Sequence, residues 1–414
     1  MKQFTLLFAL IIAFYTTNAK TIKILFVGNS YIYVNDLPKA VYDIALSKGD
    51  SIIYTTQAIG GASAMSLWNT PNVTASIAQG GWDYVVIQCQ SQEPAFSPSQ
   101  VASDTYPYVK KLDSLVQATN SCAETMFFMT WGRKNGDAAN APFYPLIGTY
   151  EGMQSRLRES YLMFAQDFTA SVSPVGVAWK NVRTQYPSIE LYNPDESHPS
   201  IYGTYLAACV FYSSIFHKPA TGASYITTGI STTDATNLQT IASNTILDSI
   251  DNWQQFGTIP FAKFSTNSST NKTIVFINQS KHAVTYDWEF GDGQNSNLLN
   301  PIHTYTADGN YTVCLTITNA CGKQEKYCNA VSVITTPNNV PNLEQEKISF
   351  IQDSNTITFK NINKSTEYQL INSNGAIVQK GIIKNNATLS FNEFHGVYFI
   401  QLKNISKPFK IVLP

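Results

Sequence analysis

The chain has 414 residues, which exceeds the roughly 100–200 of a single domain and predicts two or three domains. Its hydrophobic content of 44%, with 13% aromatic residues, can form sizeable cores and excludes a disordered chain. A formal net charge of −1 excludes the basic stripe of a nucleic-acid-binding protein and the polybasic patch of a protein that binds membrane surfaces.

Residues 1–19 have the pattern of a secretory signal peptide. Lys2 supplies the positive charge, residues 4–15 form an apolar run, and residues 17–19 include small side chains suited to cleavage. The run is shorter than the roughly 20 residues that span a bilayer, which disfavours a membrane anchor. We therefore expect a secreted or cell-surface protein without a transmembrane segment in the mature chain.

Strand-like and helix-like segments alternate from residue 20 to residue 257. In chain order they are strand 22–27, helix 38–47, strand 84–88, helix 105–116, strand 126–130, helix 149–167, strand 172–177, helix 202–216 and helix 233–256. Strands joined by helices of this length are typical of parallel βαβ units. The predicted fold of this region is therefore α/β, a doubly wound parallel sheet with helices on both faces.

The composition changes after Pro260. Short alternating runs rich in Ser, Thr, Asn, Val, Ile and Tyr predict strands at 273–278, 285–290, 311–318 and 326–334. These strands indicate an antiparallel β-sandwich over residues 261–335. A linker follows at 336–342, and residues 343–414 form a third, β-rich domain.

The six cysteines fit an exported chain. Three are dispersed and three are clustered: Cys89, Cys122 and Cys209, then Cys314, Cys321 and Cys328. One disulfide is plausible within the late trio, with one thiol left over, and the sequence does not choose the pair. No histidine lies near these cysteines with the spacing of zinc ligands, so we expect no metal site.

The first candidate catalytic residue is Ser30, at the end of the first strand in Val27-Gly28-Asn29-Ser30. In doubly wound sheets, ligands bind at the carboxyl ends of the strands. A serine there can expose its hydroxyl and offer its backbone N–H to an anion. Taken alone, Gly-Asn-Ser is more often an ordinary turn or helix cap.

A second signal is Asp195-Glu196-Ser197-His198-Pro199-Ser200. An Asp three residues before a His can bond imidazole Nδ1 and leave Nε2 for a nucleophile, although the same spacing also occurs in surface caps. The α/β region has one further histidine, His217, which follows a helix and is expected to be exposed. His198 is therefore the candidate base, and a two-histidine metal site is disfavoured. We expect no cofactor.

Together these motifs resemble the SGNH (GDSL-type) hydrolases, esterases and lipases on a flavodoxin-like three-layer sheet. The resemblance covers residues 20–257. It is to a branch of that superfamily that occurs in exported bacterial proteins. Position 32 is isoleucine, so Ser30 does not lie in the Gly-x-Ser-x-Gly elbow of α/β-hydrolases. The resemblance implies that Ser30, Asp195 and His198 are catalytic.

The resemblance also implies an oxyanion hole made of three donors. These are the N–H groups of Ser30 and of Gly61, in Ile59-Gly60-Gly61, and a side-chain amide after the third strand. The family has asparagine there, whereas this chain has Gln88-Cys89-Gln90-Ser91-Gln92. Gln90 fits the register best and Gln88 is the alternative. A missing donor would cost roughly 10²–10³ in rate.

Four further residues are candidates for substrate binding: Asn29, Gln88, Trp131 and Arg133. Trp131 could stack on a sugar, or lie in the core. Arg133 could bind an acid group, or be an ordinary surface residue. The loop that follows them, to about Pro145, is long enough to act as a lid.

The two later domains resemble non-catalytic modules. Trp288-Glu289-Phe290-Gly291-Asp292-Gly293 resembles the core strand and turn of a PKD domain, an immunoglobulin-like sandwich, with structural roles for Asp292 and His303. Such domains are spacers or modules that contact carbohydrate or protein. The tail, with Asn374-Gly375 and residues 396–400 before a β-rich end, is similar to the type IX secretion C-terminal sorting domains of Bacteroidetes.

The leading hypothesis is a secreted serine esterase that hydrolyses ester groups, expected to be acetyl, on extracellular carbohydrate. Its partners would be a small-molecule or glycan ester and the type IX secretion machinery. One alternative is a non-catalytic surface adhesin or glycan-binding protein whose hydrolase domain is degenerate. A second is a secreted GDSL-type lipase.

Overall fold

The computed structural model describes residues 21–254, 257–268, 272–334, 349–353, 355–360, 362, 365–372, 377–391, 393–403 and 409–413. The predicted signal peptide at 1–19, the linker at 336–342 and the Asn374-Gly375 turn lie outside these residues. The chain divides into two compact units, the first ending at Val333 and the second beginning at Ile334, and each is described by itself. Within the described ranges, no helix has both the length and the apolar character required to cross a membrane.

The first unit begins with a five-stranded parallel sheet in the order β2-β1-β3-β4-β5, surrounded by helices. Its strands are β1 Ile22–Gly28, β2 Ile52–Ala58, β3 Tyr84–Ile87, β4 Glu124–Phe128 and β5 Ser171–Ser173. Its helices are α1 Ser30–Tyr33, α2 Leu37–Ser47, α3 Ala64–Trp68, α4 Pro71–Ala78, α5 Pro98–Gln100, α6 Tyr106–Thr119, α7 Tyr150–Phe168, α8 Val175–Gln185, α9 Ile201–Phe216, α10 Thr232–Leu247 and α11 Ile250–Gln254. This strand order is the flavodoxin-like order, and the predicted α/β fold class is confirmed.

Burial explains why the central strands are almost continuously apolar. Every residue of β3 and β4 is buried, as are the last five residues of β1, because helices cover both faces of the sheet. A sheet with one face in water would instead alternate apolar and polar residues along its strands. Because the strands are parallel, all of their carboxyl ends lie at one edge of the sheet, where the loops to the following helices begin.

Two local predictions are corrected by prolines. The strand expected at 172–177 ends at Ser173, because Pro174 lacks an N–H to donate and instead occupies the N-cap of α8. Helix α6 is preceded by one π-helical turn, Val101–Thr105. The ring of Pro107 would collide with the carbonyl four residues earlier, and the wider turn relieves that collision.

A two-sheet antiparallel sandwich completes the first unit, as predicted. Its strands are β6 Phe264–Ser268, β7 Thr273–Asn278, β8 Thr285–Glu289, β9 Asn295–Ser296, β10 Ile302–Thr304, β11 Gly309–Thr318 and β12 Gln324–Val333, in sheets β10-β7-β6 and β12-β11-β8-β9. Trp288 is buried in its core and donates Nε1–H to the Leu298 carbonyl at 2.9 Å. Gly291 has φ of +83°, and a Cβ there would lie 2.6 Å from the Thr312 carbonyl oxygen.

Polar side chains stabilise the same sandwich. His303 is buried against the Phe290 ring, and its Nε2 lies 2.7 Å from an Asp292 carboxylate oxygen. The His303 and Asp292 side chains therefore bind each other within the sandwich.

The second unit is a smaller antiparallel domain with its own core. Its strands are β13 Ser349–Asp353, β14 Thr356–Lys360, β15 Thr366–Asn372, β16 Ile377–Ile383, β17 Thr388–Ser390, β18 Gly396–Leu402 and β19 Phe409–Leu413. They form the sheets β13-β14-β17 and β16-β15-β18-β19. Buried side chains from both sheets, such as Phe359 and Leu370, form one apolar cluster.

Two disulfides correct the cysteine prediction. Cys314 pairs with Cys328 within the sandwich, as one of the open choices within the trio allowed. Cys321 is not left over, because it pairs with Cys122 of the α/β domain, 199 residues away in the chain. Proximity of this kind depends on tertiary packing, which cysteine spacing does not reveal.

Polar contacts accompany the Cys122–Cys321 bridge. The Asn319 amide donates to the Thr258 carbonyl at 2.9 Å, and Thr258 donates to the Glu124 carboxylate at the start of β4. His217 was expected to be exposed, but its side chain is only 5% exposed: it packs against the Phe261 ring, and its Nδ1 lies 2.9 Å from a Glu325 carboxylate oxygen. The sandwich is therefore attached at the amino-terminal ends of the parallel strands, opposite the edge at which Ser30 lies.

The Cys122–Cys321 bridge makes the stability of the sandwich and the α/β domain interdependent. Replacing both residues by serine should lower the melting temperature, since loss of a native disulfide typically costs about 2–5 kcal/mol. In differential scanning calorimetry we expect the sandwich and the α/β domain to unfold in separate transitions. The matched control, Cys314→Ser with Cys328→Ser, keeps the Cys122–Cys321 bridge, so it should lower the temperature of a single shared transition. An unchanged single transition in the first variant would contradict this account.

Candidate active site

Ser30 is the first residue of α1, directly after β1. Asn29 caps this short helix, accepting the Tyr31 N–H at 3.1 Å through its side-chain oxygen. The Asn29 side-chain amide donates to the Ala62 carbonyl at 3.4 Å, and its backbone N–H donates to Gln88 Oε1 at 2.8 Å. These contacts fix the backbone on the amino-terminal side of Ser30.

His198 lies in the loop before α9 and reaches Ser30 from the other end of the domain. Its Nε2 is 2.8 Å from Ser30 Oγ, and its Nδ1 is bonded to the Asp195 carboxylate. The second Asp195 oxygen accepts the backbone N–H groups of Ser197 at 3.1 Å and His198 at 3.0 Å. The structure thus brings Ser30, His198 and Asp195 together, with one imidazole nitrogen on the serine and the other on the carboxylate.

These hydrogen bonds set the charge of Asp195. Its partial burial acts to raise its pKa, but the hydrogen bonds from His198 and the backbone outweigh burial and hold the pKa below its usual value. The carboxylate is therefore ionised at neutral pH and accepts the Nδ1 proton, which leaves Nε2 free to accept the serine proton.

An aromatic stack supports the His198 loop. The Tyr31 ring stacks on Trp131, with centroids 4.6 Å apart, and Trp131 stacks on Trp179 at 3.9 Å. Tyr31 and Trp131 both bind Ser197: the Tyr31 hydroxyl lies 2.7 Å from Oγ, and Trp131 Nε1 donates to the carbonyl at 3.0 Å. Burial raises the pKa of Tyr31, so its hydroxyl keeps its proton.

This stack corrects the substrate-binding prediction for Trp131. Its side chain is 0% exposed and its ring is covered by Tyr31 and Trp179, so no face remains for a sugar. Trp131 instead positions the Ser197-His198 segment. Tyr31, next to Ser30, was not among the sequence candidates, and no motif distinguishes such a residue from an ordinary core tyrosine.

Gln88 and Asn29 are also corrected. Gln88 is 0% exposed and uses its amide inside the protein, accepting the Asn29 N–H and donating to the Cys89 carbonyl. It is therefore neither a substrate ligand nor the alternative oxyanion donor. Asn29 is likewise buried, with both ends of its side-chain amide engaged. Both side chains support the serine loop instead.

Gly61 and Gln90 remain predicted oxyanion donors. Gly61 is exposed, with φ of +66° and no atom within 4 Å of an added Cβ, so its surroundings are open. Gln90 lies in the loop after β3, and its side-chain amide is hydrogen-bonded to Gln92. Glu93 connects the two loops, because one carboxylate oxygen accepts the N–H groups of Ala64 at 3.0 Å and Gln90 at 3.3 Å.

Arg133 is partly exposed and has a carboxylate neighbour. Its guanidinium lies 3.6 Å from the buried Asp137, and 29% of its side chain is accessible. The predicted role in binding an acid group stays a prediction. Asp137, Gln92 and Glu93 were not sequence candidates, because an isolated Asp or Gln in a loop has no distinguishing spacing.

The loop expected to be a lid is held at its start. Lys134 donates its N–H to the Glu196 carbonyl at 2.9 Å, and Asn135 donates to the Glu196 carboxylate at 2.8 Å. Farther along, the Phe143 side chain is 85% exposed. The anchored start of this loop therefore lies beside the segment that carries His198. No cluster of three or more metal-binding side chains occurs among the residues that the structure describes.

Comparison with known proteins identifies two regions. Residues 14–245 match the profile of a domain of unknown function, DUF4886, and residues 259–334 match the PKD domain. A DUF4886 family protein from Bacteroides uniformis is 20% identical, with a TM-score of 0.48, over 55% of this chain and 95% of that one. A candidate SGNH hydrolase from Slackia heliotrinireducens is 28% identical, with a TM-score of 0.39, over 47% of this chain and 100% of that one.

Curated relatives match shorter stretches. Collagenase ColA of Bacillus cereus is 40% identical over 65 residues, which are 16% of this chain and 7% of the collagenase. The pre-pro-metalloprotease PrtV of Vibrio cholerae is 26% identical over 120 residues, 29% of this chain and 13% of the protease. This chain thus spans a small fraction of the length of either relative.

A substitution at the closely packed Gly28 tests whether Gln88 fixes the backbone next to Ser30. A Cβ at Gly28 would lie 2.5 Å from Gln88 Oε1, the atom that accepts the Asn29 N–H. Gly28→Ala should displace Gln88, lower the free energy of unfolding by roughly 1–3 kcal/mol and move the Ser30 hydroxyl from His198. Urea unfolding and a crystal structure of the variant would measure both effects. In the control Gly309→Ala, the nearest atom is 3.4 Å from the added Cβ, and we expect little change.

Proposed function

The chain belongs to the DUF4886 family, and we propose that its α/β domain is a serine hydrolase of the SGNH type that cleaves ester bonds. The observation that carries the proposal is the position of the His198 imidazole between Ser30 Oγ, at 2.8 Å, and the Asp195 carboxylate. A serine hydroxyl is a weak nucleophile on its own, and a base oriented by a carboxylate is what activates it.

The reaction proceeds through an acyl-enzyme. Ser30 Oγ attacks the ester carbonyl carbon while His198 Nε2 takes the hydroxyl proton, and Asp195 stabilises the imidazolium. The tetrahedral intermediate collapses, the bond to the alcohol oxygen breaks, and His198 returns the proton to that oxygen. Water then attacks the acyl carbon, gives its proton to His198, and releases the carboxylic acid as the proton returns to Ser30.

Negative charge on the carbonyl oxygen requires donors that are in place before the reaction. The N–H groups of Ser30 and Gly61 and the amide of Gln90 are the proposed set. Two contacts support the choice of this region. Gln88 binds the backbone N–H just before Ser30, and Glu93 joins the loops of Gly61 and Gln90 through Ala64 and Gln90 N–H groups.

The exposure of the site supports the proposed substrate class. The side chains of His198 and Asp195 are 33% and 49% exposed, so an ester that projects from a large molecule can approach them directly. Two cavities, of about 400 and 350 Å³, are lined by other residues: one between the α/β domain and the sandwich, the other beside α7. An acetyl group on an extracellular carbohydrate fits such an open site.

The extracellular setting is part of the proposal. It rests on the signal-peptide pattern of residues 1–19, the PKD match and the resemblance of residues 343–414 to type IX sorting domains. The sorting domain would bind the secretion machinery, and the hydrolase would act outside the cell.

Removal of the nucleophile tests the activity. The full chain should hydrolyse p-nitrophenyl acetate, and Ser30→Ala and His198→Ala should each lower kcat/KM by at least about 10³-fold. Ser103→Ala, at an exposed serine of the π-helical turn before α6, is the control and should match the wild type. Equal turnover by the wild type and Ser30→Ala would instead favour a non-catalytic adhesin or glycan-binding protein.

A series of acyl chain lengths tests the substrate class. We expect kcat/KM to be highest for acetyl esters and not to rise from acetate to octanoate, because methylenes that lie against exposed side chains stay in water and add little binding energy. Release of acetate from acetylated xylan, absent with Ser30→Ala, would extend the result to carbohydrate. A rise of about tenfold or more with chain length would indicate a lipase.

A further inference from the structure

The loop after β3 contacts the chain on both sides of the nucleophile. Gln88 accepts the backbone N–H of Asn29, which precedes Ser30. The Ser91 side chain lies near the hydroxyl of Tyr31, which follows Ser30. Gln90 lies between Gln88 and Ser91 in the sequence, so it belongs to the loop beside Ser30, and the inference below rests on the proposed function.

A chain of side-chain hydrogen bonds leads from Gln90 to a buried carboxylate. Gln90 Nε2 donates to Gln92 Oε1 at 2.9 Å, and Gln92 Nε2 donates to Asp137 Oδ2 at 2.6 Å. At the other end, Gln90 Oε1 accepts the backbone N–H of Gln92 at 2.7 Å and that of Glu93 at 3.3 Å. Each of these hydrogen bonds joins an N–H donor to an oxygen acceptor.

Asp137 determines the direction of the chain. Its burial acts to raise its pKa, but hydrogen bonds from Gln92 and Asn140 and the nearby Arg133 charge hold the pKa below its usual value. An ionised carboxylate can only accept hydrogen bonds, so Gln92 must turn its NH₂ group toward Asp137 and its oxygen toward Gln90.

Gln90 is oriented in turn by Gln92. A glutamine amide can rotate by 180° with almost no change of shape, which exchanges its donor and its acceptor. Rotated in this way, Gln90 would set its oxygen against Gln92 Oε1 and its NH₂ against two backbone N–H groups. In the observed orientation, one N–H of the Gln90 amide binds Gln92. The second N–H takes no part in the series of hydrogen bonds from Gln90 through Gln92 to Asp137, which we call the relay.

We propose that Asp137 and Gln92 are positioning residues that orient the Gln90 amide so that its second N–H binds the oxyanion. The two residues do not touch the substrate. Glu93 supplies the complementary restraint, because its carboxylate holds the backbone of Gln90 against the Gly61 loop through the Ala64 N–H. A flexible glutamine, one methylene longer than asparagine, is thereby held as a directed donor.

A double-mutant cycle with p-nitrophenyl acetate tests the relay. Gln92→Ala in the full chain should lower kcat about 10-fold to 100-fold with KM within about twofold, since the lost interaction forms only in the transition state. In the Gln90→Ala background, adding Gln92→Ala should cost nothing further, because the oriented donor is already absent. Gln79→Ala, at the exposed glutamine that directly follows α4, is the control and should match the wild type.

Asp137→Asn is a second, nearly isosteric variant that serves if Gln92→Ala fails to fold. An asparagine can donate as well as accept, so the direction of the chain is no longer imposed, and kcat should fall at least about fivefold. This loss should also vanish in the Gln90→Ala background. Melting temperatures of all variants separate a rate effect from unfolding.

The outcomes distinguish the relay from the proposed function. If wild-type turnover depends on Ser30 but Gln92→Ala equals the wild type, the relay is wrong and the hydrolase assignment stands. A Gln92→Ala loss of the same size with and without Gln90 would mean general disruption and would also overturn it. If the wild type has no Ser30-dependent turnover, the proposed function fails and the relay fails with it.

Discussion

Ser30 and His198 lie 168 residues apart in the chain, yet a 2.8 Å hydrogen bond joins Ser30 Oγ and His198 Nε2. The parallel sheet makes this contact possible, because it places the loops after its strands at one edge. The neighbouring structure holds the two ends of that bond. Gln88 and Asn29 fix the serine loop, while Trp131 and Tyr31 bind Ser197 beside the histidine. Much of the buried polar structure at this edge therefore serves one hydrogen bond.

The opposite edge of the sheet has a different task. There the sandwich is attached by the Cys122–Cys321 disulfide and by hydrogen bonds of Asn319 and Glu325. Attachment at the amino-terminal ends of the strands leaves the edge with Ser30 open to solvent. The sandwich is thus attached away from the candidate site of the α/β domain and does not cover it.

Sequence patterns predicted the structural features that depend on residues close together in the chain. Buried strands alternating with helices gave the fold class, and the three-residue spacing of Asp195 and His198 predicted their pairing. Contacts between distant segments were beyond reach. The burial of Trp131 depends on stacking with Tyr31 and Trp179, and the pairing of Cys122 with Cys321 depends on where a hairpin docks. The expected free amide of Gln88 is used on a backbone N–H, which no spacing records.

We propose that His198, oriented by Asp195, makes Ser30 a nucleophile. Labelling of the full chain with a fluorophosphonate probe, followed by peptide mass spectrometry, tests this claim without choosing a substrate. We expect a phosphonyl group on Ser30 that is lost in His198→Ala, while the variant keeps its melting temperature. No labelling of Ser30 in the folded wild type, or equal labelling in His198→Ala, would contradict it.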